Sequence, residues 1–367
     1  MVRPLSKSGP DSENARDGHS RHGPLRGRRG WLFRFVAASV PTVFGLTGIV
    51  ALLVHQERLV ADPQSGWWKL QRPPHYLYES DHETSGHKYL YDPVLGWRNI
   101  PNWSATTKGQ PLTINSQGLR GRDFDYDKEP GASRILVLGD SFTWGYGVAD
   151  EDVLTVGLER RLAASRQNWR ILNTGVSGWG TDQEYLFLVN EGFKYSPDIV
   201  VLLLYIANDP MNNSFSIQYG LQKPLFMDLD LKICIHPGPI PRKRKVVNSP
   251  FHPYALTATI IQHMEQRCVE QACRFVVVKF GDLWFTPQER EQAIEASRYF
   301  VEQLGPRIEA PFLDLDKRYL EAGLTFEDLT EGNDDGHWNA LGHEKTAEFI
   351  YQFLIEQGLV GTGSARE

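Results

Sequence analysis

The sequence predicts an α/β fold: a parallel sheet with helices on both faces, preceded by one transmembrane helix. Three observations predict it. Short apolar runs of strand length alternate with stretches of helical length from Arg134 to Glu356. The unusual polar residues fall directly after those runs, at the strand ends where parallel sheets bind ligands. Residues 35–54 carry no charge and are about as long as a bilayer core is thick.

The elements follow in chain order. Residues 1–34 hold eight Lys/Arg against three Asp/Glu, and their Arg, Gly, Ser, His and Pro content predicts a disordered basic tail. Phe35 to Val54 then reads FVAASVPTVFGLTGIVALLV. At about 1.5 Å per residue it spans the roughly 30 Å of a hydrocarbon core. Pro41, Gly45 and Gly48 are tolerated in such a span. Arg26, Arg28, Arg29 and Arg34 precede it, which predicts a cytoplasmic N-terminus with the rest of the chain outside, periplasmic or extracellular. Three readings compete. A cleaved signal peptide would use the poor site at Leu59-Val60-Ala61. Arg28-Arg29-Gly30-Trp31-Leu32 faintly resembles a twin-arginine export signal. A buried core helix is the third. Length and flanks favour the uncleaved anchor.

Residues 55–130 are expected to form a connector and N-terminal extension of short strands and turns packed on the main domain. Pro73-Pro74, Pro93, Pro101 and Pro111 break helices there, and the aromatics argue against a free linker. The main domain is expected over 131–360. Its predicted strands are Ile135–Leu138, Ile171–Leu172, Ile199–Tyr205, Phe275–Val278 and Phe312–Leu313. Its predicted helices are Val153–Ser165, Asp182–Lys194 with Thr181 as cap, Tyr254–Glu270, Gln288–Leu304 and Gly342–Glu356. Residues 210–250 read as an excursion without strong periodicity.

Hydrophobic residues are 41% and charged residues 23%, which suits a folded globular protein. The net charge is −6, with about +5 on residues 1–34, so the body carries about −11. An acidic body argues against nucleic acid as a partner. Cys234, Cys268 and Cys273 are too few and too widely spaced for a zinc module. They are free or packed, or Cys268 and Cys273 pair if the domain is exported. No phosphate loop, dinucleotide fingerprint or metal cluster is present in the sequence, so no cofactor is expected.

Four clusters can carry chemistry. Gly139-Asp140-Ser141-Phe142-Thr143 follows the first strand. A serine at a strand-to-helix turn suits a nucleophile with an oxyanion donor attached, although taken alone the cluster reads first as an ordinary helix cap. Asn173-Thr174-Gly175-Val176-Ser177-Gly178 follows the second strand, where glycines expose backbone N–H groups or make a plain turn. Asn208-Asp209 follows Ile199–Tyr205 and offers an amide donor or a turn residue. Asp334-Asp335-Gly336-His337-Trp338-Asn339 precedes the last helix. A carboxylate about three residues before a histidine can fix one ring nitrogen and leave the other as a base. His343, inside the last helix, reads as structural.

The joint order of these clusters resembles the SGNH/GDSL hydrolase superfamily, as a bacterial membrane-anchored member, over residues 90–357. The matching residues are Gly139-Asp140-Ser141, Gly178, Asn208-Asp209 and Asp334-Asp335-Gly336-His337. Tyr91-Asp92-Pro93-Val94-Leu95-Gly96-Trp97 and Ile114-Asn115-Ser116-Gln117-Gly118-Leu119-Arg120-Gly121 also look like the lead-in of bacterial members. The resemblance implies a flavodoxin-like three-layer α/β/α sandwich. It implies Ser141 as nucleophile, His337 as general base and Asp334 as its orienting acid, with Asp335 competing for that place. It implies an oxyanion hole of the Ser141 and Gly178 N–H groups and the Asn208 side chain, with Gly175 a second candidate for the glycine. The Asn-Asp block here follows Ile206-Ala207 where the family often has glycines.

The function expected is a serine-dependent ester hydrolase acting outside the cytoplasm on a small-molecule or glycan-linked acyl ester. The alternatives are an O-acyltransferase that delivers the acyl group to a hydroxyl acceptor, such as a cell-envelope glycan, and an inactive fold used for binding or assembly. Trp144 and Trp179 near the serine are expected in the core, or else stacked on sugar rings.

Overall fold

The computed structural model describes residues 88–361 apart from 164, 166–167, 233, 236, 238–245, 285–293, 295–296, 299, 303 and 331–335, together with three short strands between residues 59 and 79. The expected tail (1–34) and anchor (35–54) lie outside the described residues. Among the described residues no helix is long and apolar enough to cross a membrane. The chain divides into two compact units, residues 1–74 and 75–367. In the first, Leu59–Ala61 and Trp68–Leu70 pair antiparallel.

The second unit is an α/β fold built on five parallel strands. They are β1 (Ala132–Leu138), β2 (Asn168–Asn173), β3 (Ile199–Tyr205), β4 (Arg274–Phe280) and β5 (Phe312–Asp314). Their order across the sheet is β5-β4-β3-β1-β2. Each predicted strand exists, and most run longer than their apolar runs. Alternation along a strand sends successive side chains to opposite faces. Leu136 and Leu138 of β1 join Val200, Leu202 and Leu204 of β3 in one core. Ile135 and Val137 join Val201 and Leu203 in the other.

Helices close both cores. On the first face lie α2 (Thr181–Asn190) and α4 (Pro253–Glu270), which bury Leu186, Phe187, Leu188, Ile260, Ile261 and Met264. On the second lie α1 (Leu154–Leu162) and α5 (Ala340–Glu356), which bury Leu154, Leu158, Leu162, Phe349, Ile350 and Phe353. The label α3 is given to Asp209–Asn212, a single turn after β3. Two-sided burial explains why β1 and β3 read as unbroken apolar runs.

Several boundaries differ from expectation. The first long helix stops at Leu162, not Ser165. The second stops at Asn190, and Gly192–Tyr195 continues as a tighter 3-10 turn. Thr181 does not cap it. Thr181 is its first helical residue, Gly180 is the cap, and the Gly180 N–H donates to Gln183 Oε1 at 3.3 Å. Of the helix expected over Gln288–Leu304, residues 294, 297, 298, 300–302 and 304 are helical, and part lies outside the described residues. The excursion at 210–250 contains two hairpins, Ile217–Gln218 with Leu221–Gln222 and Leu225–Phe226 with Cys234–Ile235. Short helices at Leu315–Glu321 and Phe326–Leu329 were not predicted.

The chain goes from β1 to β2 on one side and then crosses to β3 on the other. The C-terminal ends of β1 and β3 therefore flank the point where the strand order reverses, and a crevice opens there. Before β1, three strands form a meander: Leu77–Glu79, Lys88–Asp92 and Gly96–Asn99. A hairpin follows, Trp103–Thr107 with Gln110–Ile114. Next comes Arg120, 4% exposed, which bridges Ile114 and Asn173 in backbone pairing. Its guanidinium donates to the carbonyls of Trp144 and Val148 at 2.7 Å each and to that of Gly145, and it pairs with Asp150 at 2.9 Å. This side chain ties the loop after Ser141 to the segment before β1. Burial lowers the Arg120 pKa, and the charge of Asp150 opposes that.

Arg120→Ala leaves three buried carbonyls without their donor. An expected loss of about 3 kcal/mol or more follows, a fall in Tm of roughly 6–12 °C for a domain of this size. Thermal denaturation of the purified variant checks it.

Candidate active site

Ser141 lies at the C-terminal end of β1, as the first residue of a one-turn helix, Ser141–Trp144. The cap of that turn is Asp140, whose Oδ1 accepts the Phe142 N–H at 3.0 Å. The serine hydroxyl is thereby released from the capping task that a Ser in a glycine turn commonly performs. It meets His337 instead: Ser141 Oγ and His337 Nε2 are 2.7 Å apart across 196 residues of sequence.

His337 is held between aromatic rings. Phe142 stacks on it with centroids 4.9 Å apart and planes 29° apart, and Tyr146 lies 4.6 Å away on a tilt. The Trp284 indole N–H donates to the carbonyl of Gly336, next in sequence. Trp284 and Tyr146 were not singled out from the sequence, and no local pattern marks them. Asp334 and Asp335 lie outside the described residues.

Asn208 closes the other side, at the end of β3. Its Nδ2 donates to Asp140 Oδ2 at 2.9 Å. The Asp140 carboxylate thus caps the helix that starts at Ser141 and also holds Asn208. Burial pushes the Asp140 pKa up, against the hydrogen bonds from Phe142 and Asn208 that favour its charged form. Asp140 is the functional neighbour that reading the motif for its serine passed over, although it stands beside it in sequence.

The two glycines of the second cluster meet different needs. Gly175 is pressed on the Ser141 helix: a Cβ there would lie 2.3 Å from the Trp144 nitrogen. Asn173 fixes that approach, with Oδ1 accepting the Gly175 N–H at 3.0 Å and Nδ2 donating to the Thr143 carbonyl at 2.7 Å. Gly178 has φ +80° in a turn closed by the Trp179 N–H on the Val176 carbonyl at 3.1 Å. Only glycine takes that conformation without strain. A Cβ on Gly178 would also come 2.9 Å from the ring of Tyr219.

Below the strand ends lies a set of buried acids. Glu184 is fully buried and neither carboxyl oxygen has a hydrogen-bond partner. Burial, then the charges of Asp140 and Asp182, raises its pKa well above the carboxylate range. Asp209 is raised too, by burial and then by Glu184 and Asp140. Its Oδ2 accepts the Tyr205 N–H at 2.9 Å. Asp182 is different, because the buried Lys223 pairs with it and also donates to the Asn212 carbonyl at 2.8 Å.

Trp144 and Trp179 are 0% and 1% exposed, so they pack in the core and offer no face to a sugar. His343 is buried, its Nδ1 accepts the Leu154 N–H at 3.3 Å, and burial drives its pKa down to about 3. It is a neutral structural histidine, as expected. Cys234, Cys268 and Cys273 are free thiols. Among the described residues no group of His, Cys, Asp or Glu forms a metal site. A cavity of about 110 Å³ lined by Arg98, Gln117, Val176 and Phe187 includes none of Ser141, Gly178, Asn208 or His337, so it is not the ester pocket.

The family model for GDSL-like lipases and acylhydrolases matches residues 137–345. A search of curated proteins finds no match. Among solved structures, the lipase/acylhydrolase from Enterococcus faecalis is 19% identical with a TM-score of 0.40, covering 64% of this chain and 100% of that one. A catalytic mutant of Axe2, an acetylxylan esterase from Geobacillus stearothermophilus, is 13% identical with a TM-score of 0.41, covering 64% and 99%. A structure described as a putative lipolytic protein of the G-D-S-L family from Desulfitobacterium hafniense DCB-2 is 12% identical with a TM-score of 0.39, covering 60% and 99%.

The unpartnered Glu184 makes stability depend on pH. Its folded pKa is raised, so the folded state keeps a proton that the unfolded chain gives up above about pH 4.3. Stability falls as pH rises from there toward the folded pKa, by at most about 1.4 kcal/mol per pH unit for one group. Glu184→Gln removes that cost. Its Tm is expected to exceed that of the wild type at pH 8 and to differ little at pH 5. A constant difference across that range would mean Glu184 is not the group responsible.

Proposed function

Because the chain belongs to the GDSL-like lipase/acylhydrolase family, we propose that it hydrolyses an acyl ester outside the cytoplasm, through Ser141, His337 and Asp334, from a membrane anchor at residues 35–54. It is a serine hydrolase of ester bonds. The observation that carries the catalytic assignment is the 2.7 Å contact of Ser141 Oγ with His337 Nε2.

In this reading His337 takes the Ser141 proton as the serine oxygen attacks the ester carbonyl. The negative charge that develops on the carbonyl oxygen is met by the N–H groups of Ser141 and Gly178 and by Asn208. Asn208 spends one N–H on Asp140. Its amide carries two, which leaves the second for the oxyanion. His337 then gives its proton to the departing alcohol, and the acyl group stays on Ser141. Water attacks that acyl-serine with His337 again as base, releasing the acid. Asp334 is assigned from its spacing before His337 as the carboxylate that orients the ring.

The extracytoplasmic anchor rests on the sequence: 20 uncharged residues preceded by Arg26, Arg28, Arg29 and Arg34. Transfer to a hydroxyl acceptor differs from hydrolysis only in what enters the second step, so product analysis separates them.

Turnover of p-nitrophenyl acetate tests the chemistry. Ser141→Ala is expected to lose roughly 10³-fold or more in kcat. Asn208→Ala is expected to lose about 10²–10³-fold in kcat with little change in KM, as for one oxyanion donor. Wild-type activity retained by Ser141→Ala would end the proposal. Acetate free in solution is the expected product, and acetyl moved onto an added glycan would assign the second step to transfer. For the anchor, the full chain is expected to stay with membranes through an alkaline wash. A mature N-terminus beyond about residue 55 would overturn it.

A further inference from the structure

We propose that Asp316 is a positioning residue for the general base. Its carboxylate, paired with the buried Lys279, fixes the turn that carries Trp284, and Trp284 fixes the backbone that presents His337. This rests on His337 being the base of Ser141.

The cluster lies at the C-terminal ends of β4 and β5, the same end of the sheet as Ser141 and Asn208. Lys279 is the penultimate residue of β4 and is buried. Asp316 is the second residue of the short helix Leu315–Glu321 that follows β5, and it is buried too. Asp316 Oδ2 lies 3.1 Å from Lys279 Nζ. That ammonium also pairs with Asp282 and lies 3.6 Å from Asp314 Oδ1. Burial pushes the Asp316 pKa up to about 6, against the pull of Lys279. A buried ion pair adds little stability over apolar side chains of similar volume. A role in holding geometry accounts for this one better.

The geometry it holds is the turn after β4. Asp316 Oδ1 accepts the N–H groups of Gly281 at 3.1 Å and Leu283 at 3.3 Å. The same turn is closed by the Trp284 N–H on the Gly281 carbonyl at 3.1 Å. Trp284 then reaches the histidine by two routes. Its indole N–H donates to the Gly336 carbonyl, one residue before His337. Its ring meets Phe142 edge-on, with centroids 5.9 Å apart and planes at 82°, and Phe142 stacks on His337. The backbone beyond His337 is tied separately. The Asn339 N–H donates to the Leu329 carbonyl at 2.9 Å, and Trp338 bridges to Thr330. His337 sits between the two ties, so loosening the Trp284 tie lets the imidazole drift from Ser141. A misplacement of about 1 Å can cost about 10²-fold in rate.

The experiment measures kcat and KM on p-nitrophenyl acetate for the full-length protein in detergent, well below the Tm of every variant. Trp284→Phe keeps an aromatic ring and removes the N–H. Asp316→Ala removes the acceptor that holds the turn. Each is expected to lower kcat by roughly tenfold, with KM within about twofold of the wild type. The double variant is expected to lose no more than the worse single one, because both changes break one linkage. Independent structural damage would multiply the losses instead. Should Asp316→Ala not fold, Asp316→Asn takes its place in the same cycle. An unchanged kcat in either single variant, losses that multiply in the double, or a loss confined to KM would overturn the proposal. Ring-nitrogen NMR of histidine-labelled protein reads the linkage without turnover. The His337 signals, assigned with His337→Ala, are expected to shift in Trp284→Phe and in the Asp316 variant, while those of His263 on α4 stay in place. Unmoved His337 signals would equally overturn it. If the wild type turns over no ester, this arm alone decides, and the hydrolase reading fails separately.

Discussion

The Asp140 carboxylate joins two strand ends that the fold brings together. One oxygen caps the helical turn begun by Ser141, and the other holds Asn208 at the end of β3. Each bond fixes a group that a nucleophile or an oxyanion needs in place, and neither residue is free to drift without the other. The cost is a buried carboxylate. It is met by two hydrogen bonds and opposed by two further acids, Glu184 and Asp209, that are pushed toward their neutral forms. Keeping those neighbours protonated limits the repulsion that Asp140 feels. The acid set is thus tied to the site, although none of Glu184, Asp209 or Asp182 carries chemistry in the proposed mechanism.

The parallel sheet supplies the rigid frame, and the segments outside it supply the surroundings. Arg120 bonds the loop after Ser141 from a segment that precedes β1. Gln222, from the excursion after β3, crowds Gly96 so closely that a Cβ there would lie 2.4 Å from its carbonyl oxygen. Tyr219, at the tip of the same excursion, covers Gly178. Two hairpin tips from distant parts of the chain, Lys108-Gly109 and Tyr219-Gly220, take the same positive-φ conformation.

The pairing of Ser141 with His337 depends on packing at long range. Phe142 stacks on the imidazole while also touching Tyr205 of β3, Phe280 of β4 and Trp338. Trp284 holds the backbone at Gly336. The aromatic cluster therefore carries the histidine loop on the same core face that buries β1 and β3, which is how a contact spanning 196 residues keeps hydrogen-bond length.

The sequence by itself determined the strands, because buried parallel strands need continuous apolar runs, and Ile199–Tyr205 is such a run to the residue. It also determined that Ser141, Gly178, Asn208 and the segment at His337 follow strand ends or precede the last helix, since local composition marks each break. It did not determine the helix ends at Leu162 and Asn190, where a few tenths of a kcal/mol of propensity yield to packing and to Gly192. It misjudged Thr181 as a cap because capping is set by backbone angles, and Gly180 adopts them. Only the tertiary structure decided that Asp140 binds Asn208, that Arg120 clamps the Ser141 loop, and that Lys108 reaches Tyr146. Those contacts join residues 24 to 68 positions apart or lie at the tip of a hairpin whose docking is fixed elsewhere. No local period records them, because their energy exists only once the sheet has brought the strand ends together.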